Sequence, residues 1–239
     1  MIRFAAIAPH GDVDATPALR AAMDELGRRF VAAGCETAIV VTPHNVHVEG
    51  HFAVVTSARV GEHETDRELA AALVEAVRAD GLPVAGVSYG GNDPAEAEMP
   101  LDWGTEVPLR FLPAERVVVV APARDRPLEE HVRLGEVLAA ATVDRPVALV
   151  ASADHGHAHD PEGPYGFDPA AAAYDAELQE LLGSEPLDFR PLARLVDAAK
   201  ADSLWQLLVL QGAVNGRGEL LAYAAPSYYG MAVAVVGRE

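Results

Sequence analysis

The sequence predicts an α/β fold: a single domain over residues 1–239, with a central, mostly parallel (mixed) sheet flanked by helices. Three observations carry this expectation. Several short runs are apolar at almost every position, as strands buried on both faces must be. Stretches with helical spacing separate them, which is what crossover connections between parallel strands require. Neither a Ser/Gly-rich linker nor a shift of composition divides the chain, and 239 residues are enough to bury one sizeable core.

The elements follow in order. "IRFAAIA" (2–8) reads as a buried strand. In "TPALRAAMDELGRRFVAAG", Thr16 is an N-cap, Pro17 fits the first helical position and Gly34 is a stop, while Leu19, Met23, Leu26 and Phe30 recur at helical spacing. "ETAIVVT" (36–42) is a second strand and "HFAVVTSAR" a third. "ETDRELAAALVEAVRADG" is a helix stopped by Gly81, and "LPVAGVSYGG" ends in a turn. "RVVVVAPA" (116–123) is a strand, "PLEEHVRLGEVLAAAT" a helix, and "PVALVASADHGH" (146–157) a strand running into a polar tip. A helix follows Asp168. "PLARLVDAA" and "ADSLWQLLVLQGAV" read as two more, and the chain closes with a hairpin turning at Pro226–Gly230.

Composition narrows the function. The chain has 18 Lys and Arg against 36 Asp and Glu, a net charge of −18. So acidic a surface repels phosphate backbones and anionic membranes, so neither nucleic acid nor membrane is an expected partner. One cysteine, Cys35, excludes an internal disulfide or a thiolate zinc cluster and reads as a small buried hydrophobe. No apolar run approaches the ~20 residues of a membrane span, and the start lacks the apolar core of a signal peptide, so a cytoplasmic location is expected. Walker-type, H-E-x-x-H and G-x-S-x-G motifs are absent from the sequence.

The polar signal is carried by histidine. "FAAIAPHG" ends at His10, "AIVVTPH" at His44, and "ALVASADHGHAH" at His155, His157 and His159. Parallel strands bring such tips to one sheet edge, where α/β sites form. The preceding prolines of "PH" fix the backbone and aim the next side chain, as a preorganised ligand requires. Imidazoles and carboxylates without thiolates suit iron(II), manganese or zinc. Asp12, Asp14, Glu49, Asp154, Asp160 and Asp202 are the candidate carboxylates, and spacing does not choose among them. His51 and His63 read as solvated, and His131, among charged residues on a helix, as a surface residue.

Taken in order, "IAPHG", "VVTPHNVH", "LDWGTEVPLRFL" and "ASADHGHAH" resemble the catalytic subunits of class III extradiol ring-cleavage dioxygenases, the LigB-type superfamily that also includes Memo-like proteins. The resemblance implies a LigB-like (phosphorylase-like) three-layer arrangement. It implies His10 and His44 as metal ligands and His157, with His155 as rival, as the acid–base group. Asp202, before the "LLVLQGAV" helix, falls where the family has its third ligand. His47, His159, Trp103 and Asp154 are implied around the substrate or behind the ligands. Two departures stand out: Trp103 replaces a family histidine, and the third ligand is Asp instead of Glu. The "LDWGTEVPL" segment reads equally as a helix start capped by Asp102 or Thr105. Trp103 would stack on an aromatic substrate or fill core space, and the tyrosines of "SYYG" would line a pocket or pack in the hairpin.

The activity so implied is iron(II)-dependent cleavage of a catechol-type ring by O2. The alternatives are a Memo-like metal-binding protein without ring cleavage and a zinc-dependent hydrolase, with zinc or manganese in place of iron. A small aromatic diol and O2 are the expected partners, in a homo-oligomer or with a small second subunit.

Overall fold

The computed structural model describes residues 1–93, 95–214 and 216–237. Strands β1 (Ile2–Ala8), β2 (Thr37–Val41), β8 (Arg116–Ala121) and β9 (Val147–Ser152) form the centre of one sheet in the order β1-β9-β2-β8, all parallel. On one side the closing hairpin, β10 (Arg217–Ala224) and β11 (Met231–Gly237), adds antiparallel to β1. On the other, β8 pairs antiparallel with β3 (Phe52–Val55), which pairs parallel with β6 (Val84–Val87). The small strands β4 (Arg59–Val60), β5 (His63–Thr65) and β7 (Glu98–Met99) finish that side. The expected mixed, mostly parallel sheet is what the chain forms. The predicted strand "HFAVVTSAR" is instead two pieces, β3 and β4, because the chain leaves β8 at Val55 and turns before Arg59.

Alternation along each central strand feeds two cores. Ala5, Ile7, Ile39, Val41, Val118, Val120 and Leu149 face one side. There they meet Leu69 and Leu73 of α2 (Arg67–Ala79), Leu134 and Leu138 of α4 (Leu128–Ala141), Leu178 of α5 (Pro169–Leu182) and Leu207 of α7 (Leu204–Ala213). Phe4, Ala6, Ala38, Val40, Val119 and Val150 face the other side. They pack on Leu19, Met23, Leu26 and Phe30 of α1 (Pro17–Ala32), on Cys35 and on Val107 of α3 (Trp103–Leu109). Helix, sheet and helix give three layers, and a strand covered on both faces needs the continuous apolar run seen in the sequence.

Helices α4 and α7 cross at two glycines. A Cβ on Gly135 would lie 2.0 Å from the Val209 carbonyl oxygen, and one on Gly212 would lie 1.8 Å from that of Val132. Both positions need the missing side chain. The predicted helix "PLARLVDAA" is a 3-10 turn over Arg190–Arg194 followed by the single-turn α6 (Val196–Ala199). Lys200 ends α6 in the left-handed region.

His131 corrects the sequence reading. It is fully buried, with Nδ1 3.1 Å from the Pro127 carbonyl and its ring edge-on to Phe52 at 5.0 Å. The charged neighbours Glu130 and Arg133 point outward, whereas α4 lies between α2 and α7 and presents His131 to the core. Burial holds its pKa below the ordinary histidine value, against the pull of the Pro127 carbonyl. Below about pH 6.5 the unfolded chain therefore binds this proton more readily, and His131 weakens folding as pH falls. Thermal unfolding of His131→Leu at about pH 7 and pH 5 is expected to show a smaller acid-side loss of stability than the parent. An unchanged difference would refute the assignment.

Candidate metal centre

Because β1, β2, β8 and β9 are parallel, their carboxyl-terminal ends share one edge. The segments that follow carry His10, His44, Arg124 and Asp154 to His157, around a cavity of about 970 Å³. Asp202 reaches the same cavity from the short link between α6 and α7.

Three donor atoms converge there. His10 Nε2 and His44 Nε2 are 3.0 Å apart, His44 Nε2 and Asp202 Oδ2 3.5 Å, and His10 Nε2 and Asp202 Oδ2 3.9 Å. Donors each about 2.0–2.2 Å from a common cation can be no more than about 4.4 Å apart, so all three separations fit. The other oxygen, Asp202 Oδ1, is buried without a hydrogen-bond partner. A buried carboxylate oxygen left so is costly unless a cation satisfies it. Among the described residues, His10, His44 and Asp202 form the one such group of possible metal ligands.

The chain also fixes which His10 nitrogen is free. Ser152 Oγ donates to the Gly104 carbonyl and lies 3.1 Å from His10 Nδ1. A hydroxyl whose proton is committed can only accept, so Nδ1 carries the hydrogen and Nε2 keeps its lone pair. Burial lowers the His10 pKa to about 4, although the Asp202 charge pulls it up, which keeps the ring neutral. His44 is held by its neighbours: its ring lies edge-on to His10 at 4.7 Å and tilted against Trp103 at 4.6 Å. Asp102 caps α3 through the Thr105 amide and also accepts from Thr42 Oγ1 and Asn45 Nδ2, tying the His44 loop to that helix. Gly104 completes the fit, because a Cβ there would meet Thr42 Oγ1 at 2.2 Å and His44 Cδ2 at 3.4 Å.

Two carboxylates share the floor. Burial would raise the Asp202 pKa, but a hydrogen bond from His44 and the charges of His10, His157 and Arg124 bring it below the usual range. Asp154 Oδ1 accepts from the His10 amide at 3.1 Å and Oδ2 lies 3.6 Å from His10 Nε2. Burial first, and then the Asp202 charge, push Asp154 well upward. A cation at the triad would oppose that rise.

The two rival histidines sit differently. His157 lines the cavity, with Nδ1 2.7 Å from the His155 carbonyl, so Nδ1 carries the hydrogen and Nε2 is free. His155 is fully buried, with Nδ1 3.0 Å from Ser203 Oγ, which also meets the Tyr174 hydroxyl. Burial lowers its pKa to about 4. His47 and Trp103 line the cavity, and Trp103 is 57% exposed, so it does not fill core space. His159 Nε2 lies 2.8 Å from Asp175, a buried residue of α5 that also accepts from the Gly156 amide and the Tyr223 hydroxyl. That contact holds His159 against α5. Of the other carboxylates, Asp12 caps the 3-10 turn Val13–Ala15, Asp14 pairs with Arg20, and Asp160 caps a turn at Glu162.

Tyr228 and Tyr229 line the cavity beside His157, and sequence reading missed Tyr165, Arg124, Lys200 and Trp205 as further cavity residues. Tyr229 stacks on His157 at 5.7 Å and Tyr165 meets it edge-on at 6.0 Å. The doublet in "SYYG" was the available signal; the pocket lining it offered is what forms.

Loss of the bridging hydroxyl in Ser152→Ala is expected to weaken divalent metal binding by about 10–100-fold, the usual cost of losing a ligand-orienting group. Asp202→Ala should weaken it further. Competition with a coloured chelator reads both, and parent-like affinity in Asp202→Ala would remove it from the ligand set.

No curated protein matches the chain. Among solved structures, an uncharacterized protein of Escherichia coli K12, JW3007, has the same fold, with a TM-score of 0.69 over 98% of this chain and 100% of its own at 17% identity. The family model described as the catalytic LigB subunit of aromatic ring-opening dioxygenase matches residues 17–236, a span that holds His44, His157 and Asp202 and begins after His10. With nearly its whole length matched, the chain belongs to the LigB family.

Proposed function

We propose that this protein is a non-haem iron(II)-dependent extradiol dioxygenase that cleaves a catechol-type ring with O2. The observation that carries the reading is the free Nε2 of His157 on the wall of the cavity that holds the His10–His44–Asp202 triad. Two histidines and one carboxylate on one side of an open cavity are the donor set of non-haem iron oxygenases.

Iron(II), held by His10, His44 and Asp202, supplies Lewis acidity toward the diol oxygens and the redox capacity for O2. The remaining work falls to the chain. His157 Nε2 takes the proton of a substrate hydroxyl and later returns one to an oxygen derived from O2 as the ring opens. The His155 carbonyl keeps the imidazole in the tautomer this needs. Trp103, Tyr165, Tyr228 and Tyr229 line the cavity and offer flat faces to a ring. The Ser152 hydroxyl keeps the His10 lone pair directed at the donor group.

The Memo-like alternative shares this donor set, and Trp103 packed on His44 marks where the chain departs from the ring-cleaving pattern. Oxygen uptake decides between them. Protein loaded anaerobically with iron(II) is expected to consume O2 with at least one catechol, and His157→Ala to lower the rate about 10²–10⁴-fold, the usual worth of a positioned acid–base group. Verified iron(II) with no uptake on any diol leaves the Memo-like reading. Full activity in His157→Ala would overturn the acid–base role. Hydrolysis of an ester or amide by the zinc form would favour the hydrolase.

A further inference from the structure

We propose that Asp175, a residue of α5 that does not line the cavity, is the positioning residue of the acid–base histidine: through the one peptide group that joins His155 to Gly156 it fixes the tautomer and direction of His157. The role rests on the acid–base reading of His157 and names the group that sets it.

The carbonyl of that peptide is the His155 oxygen, 2.7 Å from His157 Nδ1. Its N–H, on Gly156, donates to Asp175 Oδ1 at 2.8 Å. A trans peptide group is planar, with N–H and C=O pointing opposite ways, so a carboxylate that holds one end aims the other. An N–H bonded to a charged acceptor also polarises the group and makes its carbonyl a stronger acceptor. Asp175 therefore does at one remove what a carboxylate bonded directly to an imidazole does: it decides which ring nitrogen carries the hydrogen.

The carboxylate is itself held in place. It is buried, and Oδ2 accepts from His159 Nε2 at 2.8 Å and from the Tyr223 hydroxyl at 2.7 Å. Burial and the Asp175 charge hold the Tyr223 phenol above its ordinary pKa, so it remains a donor. Two glycines admit the arrangement. A Cβ on Gly156 would lie 2.8 Å from the Ala171 carbonyl oxygen of α5, and one on Gly230 would lie 1.9 Å from Asp175 Oδ2. Gly230 also bonds the same stretch of backbone: its carbonyl accepts from the His155 amide at 2.8 Å, and its amide donates to the Gly156 carbonyl at 2.9 Å. The His157 loop is thus clamped between α5 and the closing hairpin, whose Tyr229 stacks on the His157 ring.

The test reads the His157 ring directly. In zinc-loaded protein carrying isotope-labelled histidine, proton–nitrogen correlation NMR at about pH 8, where an ordinary imidazole is neutral, distinguishes the tautomers. His157→Gln identifies the resonances. The parent is expected to show one tautomer, protonated at Nδ1. Asp175→Ala should show both. Its kcat for oxygen uptake in the iron(II) form should fall about tenfold with KM for catechol unchanged, a part of what the acid–base group itself supplies. Asp175→Asn keeps the shape and an acceptor for the Gly156 amide but loses the charge. It should keep the tautomer while the Nδ1 resonance moves, and it carries the test where Asp175→Ala does not fold. Tyr223→Phe takes a donor from the same carboxylate without touching the peptide, and should leave the parent's tautomer. A tautomer change in Asp175→Ala, with no oxygen uptake by the parent, would keep the positioning role and remove the dioxygenase reading. A parent His157 protonated at Nε2, a single Nδ1 tautomer in folded Asp175→Ala, an unmoved resonance in Asp175→Asn, or a mixture in Tyr223→Phe would overturn the role.

Discussion

The site depends on one small contact, the Ser152 hydroxyl between the His10 ring and the Gly104 carbonyl. It joins the ends of β1 and β9 to the first turn of α3, three segments far apart in sequence. Its geometry decides chemistry as well as position. With its own hydrogen committed, Ser152 makes His10 a δ-protonated imidazole and directs the ε lone pair at His44 and Asp202. An alanine at 104 would press on Thr42 and His44, so the backbone that receives the serine proton is also the backbone that gives the second histidine room. The α3 turn and the metal histidines are therefore one packed unit.

Electrostatics reinforce that unit. Asp154 and Asp202 are both buried beside the His10 ring in a protein whose net charge is already −18. Two carboxylates so placed repel, and the tendency appears as the upward push on Asp154 while the histidines and Arg124 hold Asp202 low. A divalent cation held by His10, His44 and Asp202 would relieve both at once. Arg124 stands at the edge of the arrangement, close enough to be felt by Asp202 and too far to be used up by it.

Much of this was legible in sequence, and the reason is geometric. Short apolar runs bounded by turn signals fit strands covered on both faces, and parallel strands fix where their last residues lie, so "PH" after two strands and "ADHGH" after a third already pointed to one edge. Asp202 needed the family resemblance, since nothing local separates it from Asp160 or Glu49. His131 was misread because its helix is bordered by charges along the chain but enclosed by α2 and α7 in space. His159 could be read toward substrate or behind the site, because its partner Asp175 is 16 residues away on α5 and no local pattern shows the pairing. The tyrosines and Arg124 follow strand ends too, but tyrosine and arginine are common at surfaces, and only the closure of the cavity shows which way they face.

The place of Asp202, where the family resemblance puts a longer acidic ligand, has its counterpart in the backbone before it. A carboxylate on a side chain shorter by one methylene must start nearer the metal. Here α6 lasts a single turn and ends at Lys200 in the left-handed conformation, which reverses the chain before Ala201. Residues 201–203 are then buried and lie outside any helix until α7 begins at Leu204. The Asp202 carbonyl is further held by the Arg124 guanidinium, itself seated on Trp205. The left-handed lysine, the short aspartate and the arginine are thus parts of one local arrangement: the turn brings the backbone in and carries Lys200 to the cavity, and Arg124, from the segment after β8, holds the Asp202 carbonyl.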